Sequence, residues 1–128
     1  MDDKELTVVV LTSGKQDRGT RATLAFSWAC TALAMGRKVC LYMTMDGTVW
    51  AMKDSADGVE VQGFEPLANY IEQFIALGGE LMVCAPCSEY FCSFNRSLVS
   101  ESLRTEAKLV GLSTVVGLTN AHSTLVTF

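Results

Sequence analysis

Charge is scarce in this chain, and basic charge is not in excess. Charged residues make up only 19% of 128, which excludes a disordered tail and a solvated helical rod. Ten Lys plus Arg against fourteen Asp plus Glu give a net charge of −4. That balance argues against nucleic acid or an anionic membrane as partner, because both need a basic face. No apolar run approaches the ~18–20 residues that span a bilayer, so no membrane span is expected. The first residues, Met1-Asp2-Asp3-Lys4-Glu5, are acidic where a secretory signal would be basic, and a cytoplasmic protein is expected. An even complement of cysteine is missing too. Five cysteines cannot close into a disulfide framework, and in a reducing compartment they are expected to be free thiols.

Apolar residues, by contrast, are abundant at 49%. A chain of this length is expected to form one domain, residues 1–128, with a full core and apolar surface left over. Association of subunits hides such surface, so a homo-oligomer is expected.

The chain alternates strand and helix signals. Leu6 to Leu11 and Lys38 to Met43 are short, nearly continuous apolar runs, which read as strands buried on both faces. Between them Leu24, Trp28, Ala32 and Met35 recur at helical spacing, with Thr20 as N-cap and Gly36 as the left-handed residue that ends the helix. Ala25, Ala29 and Leu33 widen the stripe, which implies cover on more than one side. Thr44 to Gly63 reads as a long functional or interface-forming loop, and Trp50 and Met52 within it read as subunit-packing residues, as do Phe91 and Phe94. Pro66 supplies an N1 residue for a helix through Leu67, Ile71, Phe74 and Ile75 that Gly78-Gly79 stops. Glu80 to Cys84 is a third strand. Lys108 to Val110 is a weak fourth, followed by a short helix from a Ser113 cap to Leu118 and a last strand from Thr124 to Phe128. Such alternation implies a three-layer α/β/α fold with a mostly parallel five-stranded sheet, whose ligands gather at the carboxyl ends of the strands.

The cysteines divide by position. Cys30 lies mid-helix and Cys40 mid-strand, both with apolar neighbours, and both read as core. Cys84 ends the third strand and Ala85-Pro86 fits a helix start, so its thiol meets unpaired amides on the functional rim. That setting favours thiolate over thiol. Cys87 completes Cys-X-X-Cys, a spacing that lets one thiol attack while the other resolves or modulates it. Cys92 follows as a possible third thiol. A thioredoxin-type reading lacks its downstream cis-proline, since the two prolines are Pro66 and Pro86. A zinc site wants four ligands, and Cys84, Cys87 and Cys92 offer three. His122, the single histidine, precedes the last strand at the amino edge of the sheet, about 16 Å from the carboxyl rim. A persulfide carrier needs only an accessible low-pKa thiol and no cofactor.

The run Glu80-Leu81-Met82-Val83-Cys84-Ala85-Pro86-Cys87, followed by Lys108-Leu109-Val110-Gly111 and a short helix, resembles the DsrE/DsrF-like family of small sulfur-transfer proteins. Thr12-Ser13-Gly14 after the first strand and Met45-Asp46-Gly47-Thr48-Val49-Trp50 after the second support the likeness. The resemblance implies a cytoplasmic α/β/α protomer that assembles into trimers or hexamers. It also implies a cysteine after the third strand that exchanges sulfur with small TusA-like carriers, a position matched by Cys84 with Cys87 beside it. Where relatives continue with a basic helix ending in Arg-Gly, this chain has Ser88-Glu89-Tyr90-Phe91-Cys92-Ser93-Phe94.

The expected function is therefore a sulfur relay, in which Cys84 forms the persulfide, Cys87 resolves or modulates it, and Cys92 is a further thiol. A non-catalytic subunit or small-ligand binding module with incidental cysteines is the alternative, and a cysteine-based zinc site is a third. The loop Thr12 to Thr20 joins a strand to a helix, as phosphate loops do, but it departs from G-x-x-x-x-G-K-[ST] and reads as an ordinary connection.

Overall fold

A computed structural model describes residues 5–87 and 103–128 of the protein. Five strands form one sheet: β1 (Leu6–Leu11), β2 (Lys38–Met43), β3 (Glu80–Cys84), β4 (Ala107–Val110) and β5 (Thr124–Thr127). Their order is β4-β3-β2-β1-β5 and every paired neighbour runs parallel. Parallel neighbours need crossovers: α1 (Thr20–Ala34) lies between β1 and β2, and α2 (Leu67–Ala76) between β2 and β3, whereas α4 (Leu112–Leu118) links β4 to β5 from one edge of the sheet to the other, and α3 is a single turn, Ala85–Cys87.

Alternation along the strands divides the side chains between two faces. Val9, Leu11, Val39, Leu41, Met43, Leu81 and Val83 pack with α1 and α2 in the larger core. Val8, Cys40, Tyr42, Met82 and Cys84 point the other way and pack with Val115 and Leu118 of α4. The expected three-layer arrangement is the observed one. In the larger core Phe26 and Phe74 meet edge to face with centroids 5.8 Å apart, which ties α1 to α2.

Helix ends follow local chemistry. Gly36 (φ 89°) closes α1: its amide reaches Leu33 O at 3.0 Å and that of Arg37 reaches Ala32 O at 3.1 Å. This paired arrangement satisfies the last carbonyls. Gly78 and Gly79 close α2 in the same way, through Ile75 O and Phe74 O.

Five local expectations are corrected. Ser113 lies inside α4, whose N-cap is Gly111. Thr20 is the first residue of α1, and Gly19 (φ 81°) stands at its N-cap, a left-handed position that costs glycine little. Pro66 is the residue before α2 rather than its first. The long connection after β2 opens as a 3-10 helix, Met45–Ala51, and Trp50 within it is fully buried with its Nε1 donating to Ser13 O at 2.8 Å. That indole is core, not subunit surface. Lastly, α1 turns Ala22, Ala25, Phe26 and Ala29 to the sheet and leaves Trp28 46% and Met35 70% exposed. A helix apolar on nearly every side does not announce which side the sheet takes. Phe91 and Phe94 lie outside the described residues.

Candidate functional site: a thiol pair at the carboxyl rim

The pairing of β2 with β3 sets Tyr42 beside Met82 and Met43 beside Val83. Tyr42 and Cys84 therefore share a face at the carboxyl end of the sheet, and Thr44 follows β2 at the same rim. α3 begins directly after Cys84. Pro86 carries no amide hydrogen, which a first helical turn tolerates, and the amide that reaches back is that of Cys87. It donates to Cys84 Sγ at 3.4 Å.

Further donors converge on that sulfur. The Cys87 side chain and the hydroxyls of Tyr42 and Thr44 hydrogen-bond Cys84, and Thr44 Oγ1 lies 3.5 Å from Cys87 Sγ. Burial alone would push the Cys84 thiol up. The hydrogen bonds from the Cys87 side chain, its amide, Tyr42 and Thr44 outweigh burial and hold the thiol below its ordinary value. Tyr42 is only 3% exposed, and burial together with the neighbouring Cys84 sulfur pushes its phenol up to about 12, so it stays a donor. Cys84 is buried, at 9% exposed, and Cys87 beside it is half-buried.

The other described cysteines behave oppositely. Cys30 donates to Tyr70 O at 3.3 Å, and burial, with Glu65 adding to it, pushes its thiol up to about 11. Cys40 lies 3.2 Å from Met82 Sδ and is pushed up to about 12, by burial first and Glu80 second, with Lys108 opposing. Both are core thiols. Cys92 lies outside the described residues. His122 is exposed before β5, with its amide on Asn120 Oδ1 at 2.7 Å, at the opposite edge of the sheet from Cys84. Among the described residues no three His, Cys, Asp or Glu side chains are grouped to hold a metal ion.

The loop before α1 uses its amides internally. Asp17 accepts from the amides of Gly19 and Arg21 at 3.0 Å each, and Gln16 Oε1 accepts from Gly14 N at 3.1 Å. A carboxylate of the chain itself thus occupies the place a phosphate would take at this helix start. The crevice between β1 and β5 is likewise closed, since Thr12 donates to Phe128 O from both its amide (2.8 Å) and its hydroxyl (2.9 Å).

Cys84 and Cys87 come together as expected; Tyr42 and Thr44 are additions. Period-two alternation on β2 and its parallel register with β3 are the signals that would have found them.

These features define a class: a small α/β/α protein with an all-parallel sheet and a hydrogen-bonded thiol pair at its carboxyl rim. The DsrE/DsrF-like family model matches residues 5–128, and the chain belongs to that family, which is associated with sulfur relay. Among solved structures it is similar to the ychN protein of E. coli, with a TM-score of 0.71 at 12% identity, covering 98% of this chain and 99% of that one. It is also similar to a conserved protein of unknown function, BT1422, from Bacteroides thetaiotaomicron, with a TM-score of 0.60 at 13% identity, covering 95% and 94%. At such identities the likeness establishes the fold. None of the curated proteins matches the chain.

Proposed function

We propose that this protein is a sulfur-relay protein that carries sulfane sulfur as a persulfide on Cys84 and passes it to a partner thiol. The observation that carries this reading is the set of donors around Cys84 Sγ, from Cys87, Tyr42 and Thr44, at the carboxyl rim of the sheet. Such donors favour the thiolate, which is the attacking species in sulfur exchange. In loading, the Cys84 thiolate attacks the sulfane sulfur of a donor persulfide; the new sulfur–sulfur bond forms as the donor leaves as its thiolate. In delivery, a partner thiolate takes the outer sulfur and Cys84 leaves in turn. The exchange consumes no cofactor.

Cys87 resolves or modulates the loaded state, and Cys92 is a third thiol on the segment that follows. The unit that acts is a single domain spanning residues 1–128, in the cytoplasm. The partner is a small TusA-like carrier, and the protein works as a homo-oligomer, a trimer or hexamer. Exposed Leu24, Trp28 and Met35, which line an apolar groove of about 400 Å³ on α1, support the last point, as do Leu112 and Val116 on α4. Among the described residues no helix is long and apolar enough to cross a membrane.

Incubation with a sulfane donor followed by intact-mass measurement tests the reading. Steps of about 32 Da are expected in the wild type and in Cys30→Ser, and their loss in Cys84→Ser. Equal loading of the Cys84→Ser protein would overturn it.

A further inference from the structure

Cys87 is built into the site in a way that delivery alone does not require. Its amide holds Cys84 Sγ at 3.4 Å, its side chain is hydrogen-bonded to the same sulfur, and Thr44 Oγ1 sits 3.5 Å from its own Sγ. The two residues lie three apart in one short turn, and the Cys87 side chain already meets Cys84 Sγ through a hydrogen bond. A disulfide draws the Cβ atoms to about 3.5–4.5 Å, a closure within the turn Ala85–Cys87 that does not require the sheet to come apart. The sulfur that Cys87 meets is Cys84 Sγ, which in the loaded protein is the inner sulfur of the persulfide. A visiting thiol meets the outer one.

We propose that the Cys84–Cys87 pair also discharges sulfane sulfur reductively: Cys87 attacks the inner sulfur of the Cys84 persulfide, closes a Cys84–Cys87 disulfide and releases the outer sulfur as sulfide. The proposal rests on Cys84 as the thiol that loads. In this step the Cys87 Sγ–Cys84 Sγ bond forms and the bond from Cys84 Sγ to the outer sulfur breaks. Its electron pair leaves with the outer sulfur, which also takes up the proton lost by Cys87 and departs as hydrosulfide or hydrogen sulfide. Counted from sulfane sulfur and two thiols, the outer sulfur gains two electrons and each cysteine gives one. A dithiol reductant then restores both thiols by exchange through the disulfide. Cys87 is the more exposed of the two, so it is the sulfur that reductant reaches first. Delivery and discharge thus compete for one intermediate, and the presence of an acceptor thiol decides between them.

The test uses the full chain, reduced, loaded with inorganic polysulfide, freed of excess reagent and then followed without reductant. In the wild type the mass increment of about 32 Da is expected to decay to about 2 Da below the reduced protein, with one equivalent of sulfide released per chain. Cys87→Ser and Cys87→Ala are expected to keep the increment and release no sulfide, while Cys30→Ser discharges like the wild type. A wild type that holds its sulfur as long as Cys87→Ser overturns the proposal, and so does discharge that depends on Cys92 instead of Cys87. Loading of Cys84→Ser equal to the wild type is the separate outcome that removes the persulfide reading itself.

Discussion

Four described cysteines sit in one small fold, and their surroundings sort them. Cys30 and Cys40 are surrounded by apolar groups and held protonated, whereas Cys84 is met by donors from three residues. Tyr42 makes this checkable. Because the Cys84 thiol is held below its ordinary value, its thiolate persists to lower pH than that of a free cysteine, and its alkylation rate reaches half-maximum at correspondingly lower pH. Tyr42→Phe removes one donor while keeping the ring, so its profile is expected to move to higher pH, toward that of an unperturbed thiol. A profile for Tyr42→Phe that coincides with the wild type would show that the phenol does not act on the sulfur. Cys84 and Cys87 were legible in the sequence because two cysteines three apart at a strand end form a local pattern. Tyr42 and Thr44 were not, because they reach the thiols across two strands, through a register that no local pattern states.

Elements were most legible where composition and punctuation agree. Each of β1, β2 and β3 is a short apolar run bounded by polar residues, by glycine or, after β3, by Ala85-Pro86, and each lies where its pattern puts it. Legibility fails at α1, whose apolar residues surround the helix, and at the 3-10 helix Met45–Ala51, whose seven residues are too few to show a period. Trp50 is hidden there, and truncating it tests the correction. Trp50→Ala is expected to lower stability by about 3–5 kcal/mol, as a large buried aromatic does. A change of a few tenths, read from urea midpoints, would return Trp50 to the surface. Asp17→Ala removes the carboxylate that accepts from Gly19 and Arg21 at the start of α1. It is expected to cost about 0.5–2 kcal/mol by the same measurement, the range of a lost cap. No measurable loss would mean that these amides find water equally well.

At the scale of the whole molecule, the sheet carries α1 and α2 on one face and α4 on the other, and apolar side chains remain outside on both sides. Excess apolar composition announced this surplus, but not which residues would form it. Leu24, Trp28 and Met35 share one outer face of α1 along an open groove. Sedimentation of the wild type at micromolar concentration is expected to give a trimer or hexamer. Trp28→Glu is expected to shift the distribution toward monomer with an unchanged circular dichroism spectrum. A monomeric wild type would leave that face without the proposed partner.

The claim on which the rest depends is that one thiol, Cys84, takes up sulfur before any other. Brief loading of the wild-type protein with less than one equivalent of a sulfane donor, stopped by alkylation before discharge and followed by fragmentation that assigns the added mass to individual residues, addresses it directly. The added sulfur is expected on Cys84, ahead of the other four cysteines. Sulfur spread evenly over the cysteines, or found first on any other cysteine, would contradict the account.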